Sequence, residues 1–158
     1  MQVTLLPAKV EDYRRIHAMQ VRAFAPLLQK YRDYDTNPGA ESSDRVLSRL
    51  LSPDSTCHLI IADGVCVGMI RVQACCTGEY RISPLFVLPE HQGKGVAQAA
   101  VRAVFDMYTD AQLWTLDTIL EEESLCRFYE KLGFKRSDYR KKIQDHLTLV
   151  GYERRMNT

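Results

Sequence analysis

The sequence predicts a mixed α/β domain built around a sheet with one parallel strand pair and antiparallel edges. Three observations carry that expectation. Asp63-Gly64 lies between two β-rich runs and is a strong two-residue hairpin signal, so the strands it joins run antiparallel. An apolar strand ending at Leu88 passes into a helical pattern from Val96 and then a strand at Leu113, an order that requires a parallel pair. The 158 residues suffice for one domain with a real core, expected to span 1–158, and leave little room for a second.

Taken in order, residues 2–6 read as a short strand. Val10 to about Phe24 has helical apolar spacing through Val10, Tyr13, Ile16, Met19 and Phe24, with Pro7 suiting its approach and Pro26 expected to end or bend it. A polar and aromatic stretch from Tyr31 closes on the turn residues Asn37-Pro38-Gly39. Asp44 to Leu51 returns to helical spacing, and Thr56–Ala62 with Val65–Val72 form the hairpin. Glu79–Leu88 is a strand stopped by Pro89, followed by a helix over Val96 to about Tyr108 and a strand at Leu113–Leu116. Ser124–Leu132 reads as a helix stopped by Gly133, and the last two strands fall around Phe134 and over Leu147–Tyr152.

Composition narrows the function classes. A net charge of +1 and a pI near 7.6 imply no strong pull on nucleic acid. The longest apolar runs are far too short to span a bilayer, and Asp12, Arg14 and Arg15 interrupt any signal-peptide pattern, so a soluble, cytoplasmic protein with no nucleic-acid or membrane partner is expected. Five cysteines without a C-x-x-C pair, and four histidines without zinc-finger spacing, predict free thiols and no metal site. Cys75 and Cys76 would face opposite sides of a strand. The acidic group Asp117, Glu121, Glu122 and Glu123, and the basic group Lys135, Arg136, Arg140, Lys141 and Lys142, read first as solvated surface, with ligand steering or partner contact as the alternative.

The chemistry concentrates at Gln92-Gly93-Lys94-Gly95-Val96-Ala97, where a strand turns into a helix. The first N–H groups of a helix lack intrahelical acceptors and, with the positive helix end, seat phosphate oxygens. Gly93 and Gly95 allow a sharp turn and close approach, Ala97 keeps the first turn slim, Lys94 adds charge and Gln92 a neutral donor. The spacing fits neither G-x-x-x-x-G-K-[ST] nor G-x-G-x-x-G, and by itself a tight structural turn is the competing reading, which the placement between an apolar strand and an amphipathic helix weakens. Pro84 adds a second clue, since proline cannot donate to a sheet ladder and suggests a bulge or interrupted pairing. If the strand at Leu113–Leu116 splays away there, backbone groups around Leu85, Phe86 and Val87 are free for an amide-bearing ligand. An amide-rich arm with a phosphate end is the shape of coenzyme A.

These segments resemble the GCN5-related N-acetyltransferase (GNAT) superfamily. QGKGVA fits the family's acetyl-CoA turn, Q/R-x-x-G-x-G/A, and ESLCRFYEKLGFKR over residues 123–136 fits its second signature. The element order matches nearly the whole chain. The resemblance implies the GNAT acyl-CoA N-acyltransferase fold, a mixed and mostly antiparallel sheet with a parallel splay between its fourth and fifth strands and helices on both faces. It implies an enzyme moving acetyl from acetyl-CoA to a primary amine, small-molecule or peptide, with homodimers common. A non-catalytic acyl-CoA-binding or regulatory domain on the same fold is the alternative. Glu122 stands where many members have Asn.

Acyl transfer to an amine needs a held thioester carbonyl, a neutral amine and a proton for the leaving thiolate. Backbone N–H groups of Phe86 and Val87 are expected to hold the carbonyl. Tyr129, a phenol with a reference pKa of about 10, is the expected acid, or else packs in the Phe128-Tyr129 stripe. Glu79 is the expected base, or else a surface residue beside Gly78. Asp33 and Asp35 could instead attract a cationic amine, and the resemblance implies that their segment helps wall the acceptor site, which makes Tyr31, Tyr34 and Asn37 further expected substrate contacts.

Overall fold

The computed structural model describes residues 1–156. Seven strands form one sheet: β1 (Val3–Pro7), β2 (Ser55–Ala62), β3 (Val65–Cys76), β4 (Glu79–Val87), β5 (Leu113–Ile119), β6 (Lys135–Gln144) and β7 (Leu147–Arg155). Their order is β1-β2-β3-β4-β5-β7-β6. Only β4 and β5 run parallel; the other neighbouring pairs are antiparallel. The helices are α1 (Tyr13–Tyr31), α2 (Ser43–Leu51), α3 (Val96–Met107) and α4 (Glu123–Lys131). This is the mixed, mostly antiparallel architecture the sequence predicts.

The sheet buries both faces. On one, Ile16 and Met19 of α1 and Val46 of α2 pack on Cys57, Leu59, Met69, Phe86 and Leu88. On the other, Val96, Ala100, Val101 and Val104 of α3 and Cys126 of α4 pack on Ile60, Ile70, Ile82, Trp114 and Leu116. Trp114 is fully buried among the rings of Tyr80, Phe105 and Tyr108, with centroids 5.3–5.7 Å away. Burial of a large apolar side chain contributes roughly 1.5–3 kcal/mol, so this aromatic group locks β4 to β5 at their paired end.

The Asp63-Gly64 hairpin forms with positive φ at both residues, 48° and 83°, as a primed turn requires. Several boundaries differ from the sequence expectation. Val10–Asp12 is a separate 3-10 turn, and α1 runs through Pro26 to Tyr31 instead of ending near Phe24. The turns beyond the proline are held from outside: Lys30 and Tyr31 both bond Glu122. Strand β3 extends to Cys76, with a register shift between Ala74 and Cys76 that leaves Cys75 unpaired. Both thiols are exposed there, so the simple alternation expected of them is interrupted by a bulge. The basic residues Lys135, Arg136, Arg140, Lys141 and Lys142 lie exposed on β6, where charge protects a sheet edge from pairing. Among the described residues no helix is long and apolar enough to cross a membrane.

Candidate active site

Strands β4 and β5 pair only over Glu79–Arg81 and Leu113–Thr115, and part beyond Arg81 and Thr115. Pro84 lies just past that point, where the β3–β4 register jumps from Val72–Ile82 to Ile70–Leu85. The rest of β4 is thus paired on one side and open on the other. Leu88 donates to the Val67 carbonyl at 2.8 Å, which makes Val67–Leu88 a hydrogen-bonded pair. Antiparallel pairs alternate, so Phe86 also faces β3, while Leu85 and Val87 turn their backbone groups into the opening. This corrects the expectation for Phe86, whose N–H lies on the ladder side. Its side chain instead packs edge-on against Phe24, with ring centroids 5.9 Å apart.

At Gly68 of β3 the two backbones leave no room for a side chain. A Cβ there would lie 2.1 Å from the Phe86 carbonyl oxygen and 3.0 Å from Val87 Cα. Sequence reading passed over Gly68, although a lone glycine inside an apolar strand is a signal of such close approach.

At the end of β4, Pro89–His91 makes a 3-10 turn and the chain enters α3 through Gly93 and Gly95, both with positive φ (75° and 83°). A Cβ at either would meet nothing within 4 Å, so backbone and solvent meet directly there. Gly95 is the N-cap and supplies no side-chain cap; its carbonyl takes the Ala99 N–H at 3.0 Å. The N–H groups of Val96, Ala97 and Gln98 precede that first bond and have no helical acceptor. Lys94 is exposed beside them. Gln92 uses its side-chain nitrogen to bond the Val87 carbonyl at 2.9 Å, so it ties the loop to the strand end. A bare glycine-lined helix start at the mouth of an open strand edge fits a pyrophosphate with an amide-bearing arm.

Tyr129 of α4 is half-buried, with its ring 5.0 Å from Phe128, 5.9 Å from Phe134 and 6.4 Å from Tyr152. Burial pushes its phenol up to about 12, so it stays protonated throughout the neutral range.

Glu79 is not beside the opening. It pairs with Leu113 at the closed end of the parallel pair, six residues before Leu85, or about 20 Å along the strand. That distance removes it as a base for an amine bound at Leu85–Val87. Asp33 is also committed elsewhere. It is buried and accepts from the backbone N–H groups of Asp35 and Thr36 and from the Thr36 hydroxyl, so it shapes its own turn. Asn37 likewise accepts from Gly39 N–H at 2.7 Å. Tyr34 and Asp35 remain exposed on that segment.

Glu122 takes 2.6 Å and 2.5 Å hydrogen bonds from Lys30 Nζ and the Tyr31 hydroxyl. Burial works against its charge, but these two donors hold its carboxyl below the usual carboxylate range. The Tyr31 carbonyl accepts in turn from Gln144 Nε2. Three elements therefore meet at the end of α1. The solvated reading of the acidic group holds for the exposed Glu121 and Glu123, although Glu121 also accepts from Thr148 N–H at 2.8 Å, whereas the partly buried Asp117 pairs with Arg81 at 2.9 Å. Among the described residues no group of three or more His, Cys, Asp or Glu could hold a metal ion.

A family model described as the acetyltransferase (GNAT) family matches residues 18–134. No curated protein matches the sequence. Among solved structures, the ribosomal-protein-S18-alanine N-acetyltransferase of Escherichia coli superposes with a TM-score of 0.78 at 14% identity, over 99% of this chain and 96% of that one. The spermidine N-acetyltransferase of Vibrio cholerae, in complex with CoA and spermine, gives 0.75 at 17% identity over 96% and 94%. The PaiA N-acetyltransferase of Thermoplasma acidophilum, in complex with coenzyme A, gives 0.75 at 14% over 99% and 100%. At these identities the likeness is one of fold.

Proposed function

This chain belongs to the GNAT acetyltransferase family, and on that footing we propose that it transfers an acetyl group from acetyl-CoA to a primary amine by direct attack, as one domain over residues 1–158. The observation that carries this reading is the open β4 edge at Leu85–Val87, continuous with the bare N-terminus of α3. Acetyl-CoA would supply the activated acyl group as a thioester. The chain's own contribution begins with anchoring: the N–H groups of Val96, Ala97 and Gln98, with Lys94, hold phosphate oxygens. Leu85 and Val87 offer backbone groups to the amide-bearing arm, as a strand would. The Val87 N–H is the donor we assign to the acyl carbonyl, where negative charge develops during attack. As the new C–N bond forms and the C–S bond breaks, Tyr129 supplies the proton that the departing thiolate needs; the proton lost by the attacking amine, passed through solvent, restores the phenol, which burial keeps protonated at neutral pH.

The acceptor is an amine, small-molecule or peptide, admitted beside the α1–α2 segment that carries Tyr31, Tyr34 and Asp35. The names of the neighbours, a spermidine and a ribosomal-protein alanine N-acetyltransferase, support amines as the acceptor class. The test is a thiol-release assay with acetyl-CoA across polyamines, amino acids, aminoglycosides and peptides, followed by mass measurement of the product. A product 42 Da heavier than one of these amines (roughly one acetyl for one hydrogen) is the expected result. Tight acetyl-CoA binding without thiol release on any amine would replace the reading with a non-catalytic acyl-CoA-binding domain.

A further inference from the structure

With Glu79 at the closed end of β4, the acceptor amine needs another carboxylate. We propose that Asp117 is the residue that holds it, with Arg81 fixing the carboxylate across the apex of the β4–β5 opening. This inference rests on the acetyl-transfer reading above.

The position is the first reason. Arg81 and Thr115 are the last partners of the parallel pair, and Asp117 lies two residues beyond Thr115, about 7 Å up the diverging strand. The Arg81–Asp117 contact, 2.9 Å from Nη2 to Oδ2, therefore spans the gap just where the strands part. Asp117 stands nearly level with Ser83, two residues short of Leu85. Glu79 is roughly three times as far from that ledge.

Its face is the second. Tyr80 and Ile82 turn toward the cluster beneath α3 and α4, so Arg81 between them points to the opposite side. Leu116 and Thr118 are buried, while Asp117 between them is partly open. Both members of the ion pair thus project on the α1–α2 side. The glycine turn and Tyr129 belong to α3 and α4 on the other face, so an amine approaching from the face opposite them meets Asp117.

The third is unused capacity. Arg81 engages Oδ2, and a carboxylate has about four acceptor positions. Oδ1 faces Gly151 of β7, its partner across the ladder, at 3.6 Å from where a Cβ would be. That missing Cβ would also lie 2.4 Å from Ser137 Oγ and 3.0 Å from Tyr139 Cβ, so β6 side chains lean over Gly151 toward the same recess. Below it, Arg71 holds the Ser83 carbonyl at 2.9 Å and steadies the apex. The side chains of Arg81 and Asp117 keep 31% and 24% of their exposure, enough to be reached by a ligand.

The test compares wild type with Asp117→Asn by calorimetry, titrating acetyl-CoA into the free protein and 1,4-diaminobutane, with a panel of other primary amines, into the CoA-loaded protein. Asp117→Asn should bind amine at least about tenfold more weakly, as loss of a charged hydrogen bond implies, with acetyl-CoA affinity within about twofold of wild type. Asp117→Ser also removes the charge, on a smaller side chain, and should show the same split if the Asn variant folds poorly. Unchanged amine affinity, an equal loss of acetyl-CoA affinity, or no amine binding to the loaded wild-type protein overturns the proposal. Thiol release by the wild type is scored separately. Amine binding without release would sink the reaction while leaving the comparison at Asp117 decisive.

Discussion

Gly68→Ala is the most informative single change to this fold. Its Cβ would sit 2.1 Å from the Phe86 carbonyl oxygen, about 1.3 Å short of the 3.4 Å at which ordinary contact begins. The obstructing atoms are Phe86 O, Val87 Cα and Phe86 C, all backbone, so no side chain can swing aside. Strand β4 must therefore move by about 1 Å at Phe86–Val87, beside the open edge assigned to the acyl arm. Overpacking of this kind costs roughly 1–3 kcal/mol. A 1 Å misplacement of reacting groups costs about a hundredfold in rate. Thiol-release kinetics and acetyl-CoA calorimetry should show kcat/KM down by about that factor, alongside a modest loss of thermal stability. Gly64→Ala is the control: its φ of 83° makes any side chain strained, at about 1–2 kcal/mol, but it lies at the hairpin tip, four residues before Gly68 or about 13 Å along the chain, with open space around it. It should lose stability without losing rate per folded molecule. A folded Gly68→Ala protein with wild-type acetyl-CoA affinity and kcat/KM would refute the assignment of this ledge.

Three further outcomes are expected. Gly95→Val, forced into a left-handed conformation at the α3 cap, should weaken acetyl-CoA binding tenfold or more, while Lys94→Ala should weaken it about two- to fivefold at low salt and less at high salt; parent-like binding in both would remove the turn from the site. Tyr129→Phe should keep acetyl-CoA affinity and lower kcat by about a hundredfold, and the wild type should show no loss of rate near pH 10 from this phenol, whose pKa is about 12; an unchanged kcat with chemistry limiting would exclude the role. His58 is buried and bonded to the Tyr108 hydroxyl at 2.8 Å, and burial pushes its imidazole below the usual 6.5. The unfolded chain then binds a proton that the folded one refuses, so stability present above pH 6.5 is lost as pH falls from there through the folded value. Thermal melts between pH 7.5 and 5 should fall more steeply for wild type than for His58→Gln, and parallel slopes would dismiss the linkage.

The backbone features assigned to the donor side were legible because their signals are local. Asp63-Gly64, Gly93, Gly95 and Pro84 each force a backbone event within a few residues, and the structure carries positive φ at the first four positions and a register jump at Pro84. What escaped the sequence is what depends on distance. Glu79 reads as a neighbour of Pro84, yet an extended chain puts it about 20 Å from Leu85. Asp33 reads as a free anion, although a Thr three residues on already marks a turn that uses its oxygens. Pro26 reads as a helix end because the bonds that rescue α1 come from Glu122, some 91 residues away.

The two halves of the site differ in what holds them. On the reading proposed here, the donor half is built from main chain, so the sequence encodes it largely by omission: no N–H at Pro84, no Cβ at Gly68, Gly93 or Gly95, and no β5 beside Leu85. Omissions of that kind survive extensive drift in the remaining side chains, which is consistent with a common fold at 14–17% identity to the E. coli and V. cholerae neighbours. The proposed acceptor half would be side-chain chemistry borne by separate elements, Asp117 on β5 with Arg81 on β4, and Tyr31 on α1 held by Glu122 at the start of α4. A carboxylate in place of the family Asn at position 122 has the end of α1 as its partner. It ties Lys30 and Tyr31 to the start of α4. On that reading the glycine turn that first marked this chain fixes which donor it takes, while the amine is chosen by residues that only the folded sheet brings together.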